Sequence, residues 1–168
     1  HPIAIVRIVR IEQMPIRDGL TESYLGLGSI AEANFQQEVQ MRIVRDEFSN
    51  DLTRLTQASS KLADWYERSN QQEKEVWQLE MTVRTIRNQT GDDGALQIRT
   101  LRDLAAAYQR LDMPVEAELN VYNATVDALN EASQINRESV TPDPVLDAEL
   151  QIEIGDVHNR NGESREAR

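Results

Sequence analysis

Apolar and polar residues alternate with a helical period through much of the chain, most clearly between Leu101 and Leu129. In the first half of this segment, apolar or small residues recur at a spacing that places them on one helical face: Leu101, Leu104, Ala105 and Tyr108. Pro114 interrupts the pattern, and a second apolar face begins at Ala117. Because proline suits the first turn of a helix, the segment predicts two helices joined by a short turn.

The same pattern recurs twice upstream at one constant spacing, so that position 104 corresponds to positions 62 and 20. The residues that take the places of the leucine, alanine and tyrosine of the first helix are Leu62, Ala63, Tyr66, Leu20 and Tyr24. Downstream, after a longer step from position 104 to position 154, they are Ile154, Gly155 and His158. In the second helix, Ala117 corresponds to Ala33 and to Ala167. Three Leu-x-x-x-Tyr units in one register predict a helical repeat.

The register divides the chain into predicted helix pairs. Residues 1–13 are the second helix of a truncated repeat. Three repeats then occupy 14–55, 56–97 and 98–147, and 148–168 is the first helix of a truncated fourth. The last step is longer than the others, and we place the extra residues in the proline-containing linker 138–144. One pair cannot bury its apolar face alone, so neighbouring pairs must stack. We predict an all-α protein, an array of antiparallel helix pairs.

The segment from Leu101 to Leu129 resembles a tetratricopeptide repeat. That family places a large apolar residue, a leucine, a small residue and a tyrosine on its first helix, and an alanine near the start of its second; here they are Leu101, Leu104, Ala105, Tyr108 and Ala117. The long repeat period resembles that of kinesin light chains. The departures from the pattern are Ser59 and Glu75 in the second repeat, and Arg17 and Thr21 in the first. The resemblance implies a right-handed superhelix, an α-solenoid, with a concave groove that binds proteins or peptides.

The resemblance also implies which residues line the groove, because first helices face it. By register, one row of positions carries Glu22, Asp64 and Asp156, with Ala106 between them. A second row carries Arg68, Arg110 and Arg160. A peptide of alternating charge, or a mixed-charge helix, would dock between such rows. Alternatively, the rows bridge one another as surface salt bridges worth ~0–1 kcal/mol each. The sequence leaves both interpretations open.

A third row of arginines lies on the predicted second helices: Arg7, Arg10, Arg42, Arg45, Arg84 and Arg87. It could bind an acidic partner on the outer face. We favour a structural role instead, in which these arginines pair with Glu38, Glu47 and Glu80.

The charge balance narrows the range of partners. The chain has 29 acidic and 18 basic residues and a net charge of −11, which disfavours nucleic acid because phosphates require clustered Lys and Arg. It has no cysteine, which excludes disulfides and thiol chemistry. No stretch approaches the ~20 apolar residues of a membrane span. The compartment is open, with a cytoplasmic location the interpretation we favour.

Catalytic motifs are missing from the sequence, so we predict neither an enzyme nor a cofactor or metal site. His158 takes the tyrosine position of the last repeat, which favours packing over catalysis. The Asp92-Asp93-Gly94 stretch is more typical of a turn than of a calcium loop, because the later ligands are absent. Trp77 shares the register of Phe35 and Leu119 and is predicted to be in the core. Trp65 is predicted to be core as well, although a half-exposed position is possible beside Asp64.

These observations predict a scaffold or adaptor that binds a peptide or protein segment. The alternatives are a regulatory module that senses a peptide and controls an attached effector domain, and an enzyme on a helical-repeat fold. The chain starts at His1 without a methionine and ends where another second helix would begin, which suggests a piece of a longer array. Uncapped ends would expose apolar surface, so self-association is also expected.

Overall fold

In a computed structural model of the chain, the described residues are 14–48, 51–88, 94–112 and 115–166, and every regular element in them is an α-helix. The helices are α1 (Met14–Gly26), α2 (Ile30–Glu47), α3 (Leu52–Arg68), α4 (Gln72–Asn88), α5 (Gly94–Arg110), α6 (Val115–Glu138) and α7 (Pro144–Glu166). The all-α prediction is confirmed. The chain forms two compact units, His1–Gln71 and Gln72–Arg168, so α1–α3 belong to the first unit and α4–α7 to the second.

Within each unit, helices that follow one another in the chain pack together. In the first unit α2 packs with α1 and α3, and in the second unit α5 packs with α4 and α6, and α6 with α7. Helices α3, α5 and α7 begin at positions 52, 94 and 144, so their starts follow the spacing of the sequence pattern, including its longer last step. The repeat boundaries predicted at 55/56, 97/98 and 147/148 therefore fall one turn inside these helices.

Helices α1 and α3 end in the same kind of turn, at equivalent positions of the register. Gly28 and Asn70 adopt positive φ angles of 73° and 55°. The next residue in each turn donates its N–H to the carbonyl of a tyrosine five positions back, as in a Schellman motif. These bonds are Ser29 N to Tyr24 O and Gln71 N to Tyr66 O, both 2.8 Å. Glycine enters this left-handed region without a Cβ clash, and asparagine tolerates it better than most residues.

The core of the first unit surrounds Trp65, whose relative exposure is 0%. Its buried partners are Ala33, Met41, Leu62 and Tyr66, with Tyr24, Leu25 and Ala58 packed against them. Ala63 is buried too. Leu20 is exposed, together with Ile16, since α2 is the main packing neighbour of α1 among the described helices.

The core of the second unit is built on α5. Leu101, Leu104 and Ala105 are buried there, and Ile154 is buried on α7. Gly155 is half-buried. The side chain of Ala117 and the whole of Ala167, two further repeat positions, lie outside the described residues.

Trp77 is not a core residue, so that prediction is wrong. Its side chain is 56% exposed, and Phe35 and Leu119 are exposed as well. The register itself holds, because all three residues lie at equivalent positions of the second helices α2, α4 and α6. These positions are two places beyond the small-residue position, which turns them about 200° around the helix from it. Ala33 points into the core, so Phe35 points outward.

Candidate functional site

In the first unit, the predicted acidic and arginine rows meet as a surface ion pair. Arg68 on α3 lies 3.7 Å from the Glu22 carboxylate on α1, and both side chains are more than half exposed. The Arg68 guanidinium also stacks over the Trp65 ring, with its central carbon 5.5 Å from the ring centroid. Asp64, on the same helix, is exposed. Bridging between first helices therefore accounts for Arg68 and Glu22.

In the second unit, Arg110, predicted to line the groove, pairs with Glu75 on α4 instead. The Glu75 side chain is only 3% exposed, whereas that of Arg110 is 38% exposed. Glu75 occupies the small-residue position that Ala33 fills in the first unit, and the arginine neutralises the carboxylate buried there. Arg110 is consequently a structural residue between α4 and α5.

Asp156 and Arg160 do come together, at a cleft of about 420 Å³ between α5 and α7. We call it the central cleft, and its lining is Arg102, Asp103, Ala105, Ala106, Gln109, Glu153, Asp156 and Arg160. Small alanines of α5 leave room between the helices, and charged side chains surround that space. The lining combines three carboxylates with two guanidinium groups.

Two polar links cross from α5 to α7 beside the central cleft. Arg102 donates to Glu153 and lies 3.4 Å from Glu149. Arg160 donates to Gln109 at 2.8 Å. The hydrogen bond to Glu153 is the main cause that raises the pKa of Arg102, so this guanidinium stays charged. These links connect α5 and α7, each of which also packs against α6.

Further cavities adjoin the central cleft at each end. One, of about 610 Å³, lies between the start of α5, the end of α6 and the loop 139–143, and shares Arg102 and Asp103 with the cleft. We call it the loop pocket. The other, of about 310 Å³, shares Gln109 and Arg160. The three together, which we call the α5 groove, follow a helix of 17 residues. At ~1.5 Å per residue that is ~25 Å, the length of about seven extended residues.

The loop 139–143 is hydrogen-bonded to α6 and α7 at its ends. Buried Asn136 donates to the Asp143 carbonyl at 2.7 Å and accepts from the Asp143 N–H at 3.0 Å. The Asp143 carboxylate caps α7 by accepting from Val145 and Leu146 N–H groups at 2.9 and 3.2 Å. The residues of the predicted linker insertion thus form one wall of the loop pocket. Sequence reasoning located the insertion but not this role.

The first unit has a smaller cavity, of about 280 Å³, between α1, α2 and α3. Lys61 and Gln40 donate to Asp18 at its rim. Burial opposes ionisation of Asp18, but these hydrogen bonds and the Lys61 charge keep its pKa below the ordinary value. None of the predicted groove residues lines this cavity.

Tyrosine–carboxylate hydrogen bonds join second helices to the first helices that follow them. Tyr66 donates to Glu38 at 3.0 Å, and Tyr108 donates to Glu80 at 2.6 Å. At the equivalent place on α7, His158 is exposed and its Nδ1 contacts the Tyr122 hydroxyl, with the rings edge to face. His158 is therefore an exposed residue that contacts Tyr122 on α6.

Stability is expected to fall as the pH rises above about 10, the ordinary pKa of tyrosine. Burial, followed by the neighbouring glutamate, raises the pKa of both Tyr66 and Tyr108. The unfolded chain therefore loses these protons first, and the stability present below pH 10 is lost above it. Urea unfolding between about pH 9 and about pH 12 measures the decline. The double variant Tyr66→Phe/Tyr108→Phe should flatten it, and an equal slope in that variant would contradict the assignment.

The arginine row on the second helices pairs differently from the prediction. Arg87 on α4 forms a two-pronged ion pair with Glu131 on α6. Glu38 and Glu80, predicted to pair with this row, accept from tyrosines instead. The four described members, Arg42, Arg45, Arg84 and Arg87, are all exposed. Arg7 and Arg10 lie outside the described residues.

Within the described ranges, no group of three His, Asp or Glu side chains is placed to hold a metal ion. A search of the same residues found no helix with the length and apolar character needed to cross a membrane. Asp92 and Asp93 are not among them.

Comparison of the sequence with models of protein families and with curated protein sequences found no match to either.

Proposed function

We propose that this chain is a non-catalytic scaffold or adaptor of tetratricopeptide-like superhelical architecture, and that it binds an extended peptide segment in the α5 groove. The observation that carries the proposal is the central cleft. Asp156 and Arg160, two residues of the rows expected to face a ligand, line it together. Arg110 is the third predicted groove residue of the second unit. It pairs with Glu75, so we do not include it in the binding surface.

The cleft suits a peptide better than a compact small molecule. It continues at both ends into further cavities along α5, so a bound chain has room to enter and leave. Small Ala106 lets a peptide backbone approach the helix closely. The lining carries side chains of both signs, which fits a peptide of mixed charge.

The cleft exists before a ligand arrives, because α5 and α7 are each packed against α6 and are linked across the cleft by side-chain hydrogen bonds. A preformed groove reduces the conformational entropy lost on binding. A ligand that exchanged hydrogen bonds with Arg160 or Asp156 would leave the Arg102–Glu153 pair in place.

Filling the cleft is expected to abolish peptide binding without unfolding the protein. Ala106→Trp places a bulky side chain into the open space between α5 and α7, where Ala106 is half-buried. The measurement is selection of random peptides displayed on phage against the purified chain, followed by affinity measurement on the enriched peptides. We expect the variant to bind these peptides at least about tenfold more weakly.

The matched control is Ala148→Trp, an exposed position on α7 that does not line the groove. It should bind like the unaltered chain, and circular dichroism should show both variants folded. The proposal is overturned if no peptide is enriched, or if Ala106→Trp binds the enriched peptides as well as the control does.

A further inference from the structure

The loop pocket has a more apolar lining than the central cleft, although charged residues, including Arg99 and Asp103, also line it. Ile98 is buried at its base, and Ile135 and Leu146 are half-buried around it. At the rim, Val140 is 92% exposed. What distinguishes Val140 from other exposed aliphatic residues is that it stands beside a cavity large enough to receive another side chain, whose contact would remove its apolar surface from water.

The loop that carries Val140 is held at both of its ends, because Ser139 donates its N–H to the Asn136 carbonyl and Asp143 is bonded to the Asn136 side chain. Asn136 holds both the N–H and the carbonyl of Asp143, and the Asp143 side chain caps α7. Below the loop, Asp147 accepts from Ser133 at 2.6 Å and pairs with Arg137 through both oxygens. These hydrogen bonds lower the pKa of Asp147, so the carboxylate remains ionised. These hydrogen bonds fix the last residue of the loop and the start of α7 against the end of α6.

The rim of the pocket also carries an arginine that is open to a ligand. Within residues 94–112 and 115–166, and the other parts of the chain that the structure describes, Arg99 forms no ion pair. The next arginine on the helix, Arg102, has two glutamate partners. Arg99 is exposed and lines the pocket, so a carboxylate placed there would meet a guanidinium beside an apolar surface.

We propose that the loop pocket is the anchor of the peptide site, and that it takes an aliphatic side chain, such as leucine or isoleucine, followed or preceded by an acidic residue. The aliphatic group packs between Ile98, Ile135 and Val140, and the carboxylate binds Arg99. The inference rests on the proposed function, because the anchored peptide continues from this pocket into the central cleft through their shared residue Arg102.

The test compares the sequences that random phage-displayed peptides yield on the unaltered chain and on two rim variants. On the unaltered chain, the enriched peptides should share an aliphatic residue next to Asp or Glu. Val140→Asp should remove the aliphatic preference, and Arg99→Glu should replace the acidic preference by a basic one. Each variant should bind the original peptides about tenfold more weakly.

Matched controls exist on the same unit for both changes. Val145→Asp alters another exposed valine, on α7, and Arg84→Glu alters an exposed arginine on α4; neither lines the pocket. Both should select the same peptides as the unaltered chain. Because all four positions are on the surface, none of the changes is expected to unfold the protein.

The outcomes separate the two proposals. If no peptide is enriched on the unaltered chain, the proposed function fails and the anchor fails with it. If enriched peptides lose affinity for Ala106→Trp but lack an aliphatic–acidic pair, or bind Val140→Asp and Arg99→Glu unchanged, the anchor alone is overturned. Loss in both rim variants, with both controls unaffected, supports the anchor.

Discussion

Replacing Arg110 by alanine is expected to lower the free energy of unfolding by about 3 kcal/mol, near the lower end of the range for breaking a buried ion pair. The reason is that the Glu75 carboxylate, only 3% exposed, would lose the guanidinium that compensates for its burial. Partial exposure of Arg110 lets some water reach the site, which keeps the loss from being larger. Urea unfolding at neutral pH, followed by circular dichroism, measures it.

The control is Arg68→Ala, one repeat earlier in the register. Arg68 pairs with Glu22 at the surface, so its removal should cost no more than about 1 kcal/mol. The double variant Glu75→Ala/Arg110→Ala restores the small residue seen at Ala33 and should be more stable than Arg110→Ala alone. Equal losses of unfolding free energy for Arg68→Ala and Arg110→Ala would show that the Arg110–Glu75 pair stabilises the fold no more than a surface ion pair does.

This contrast shows what the register could and could not predict about the candidate site. Arg68, Arg110 and Arg160 are equivalent in sequence, yet they reach a surface glutamate, a buried glutamate and a glutamine. A long side chain takes the nearest strong acceptor, and which acceptor is nearest depends on how α4 and α5 pack. The departure at Glu75, where the family places alanine, was the one signal in the sequence that a buried partner would be needed.

The helical period was predictable because it depends on local spacing. The spacing placed Leu62, Leu101 and Leu104 correctly on buried faces. It did not predict which side of the second helices faces the core, since a large apolar residue such as Trp77 is interior in most proteins. Ala33 and Trp77 differ by two places within the repeat, enough to put them on opposite sides of their helices.

The loop pocket could be foreseen only in outline. The extra residues before α7 were visible as an interruption of the period, and insertions in repeat proteins often lie on the binding face. That the loop forms a wall depends on Asn136, a buried amide on α6 whose two hydrogen bonds to Asp143 exist only once α6 and α7 are adjacent. No local pattern in the sequence encodes that contact.

Replacing each of the two tryptophans by alanine is expected to change the free energy of unfolding by very different amounts. Trp65→Ala should lower the free energy of unfolding by about 3–5 kcal/mol, because it removes the largest buried side chain of the first unit and leaves a cavity among Ala33, Met41 and Leu62. Trp77→Ala, at an exposed position, should change it by no more than about 0.5 kcal/mol. Urea unfolding followed by circular dichroism compares the two.

Packing and hydrogen bonding contribute unequally at Trp65, and a third variant separates them. Its indole N–H donates to Asn34 at 2.7 Å, but Gln71 also donates to that Asn34 oxygen, so the acceptor keeps a partner when the indole is removed. Trp65→Phe retains most of the apolar volume and should cost only about 1–2 kcal/mol. A loss in Trp65→Phe as large as in Trp65→Ala would mean that the indole hydrogen bond, rather than burial, holds this core together. A small loss in both would mean that Trp65 is not the centre of the first unit.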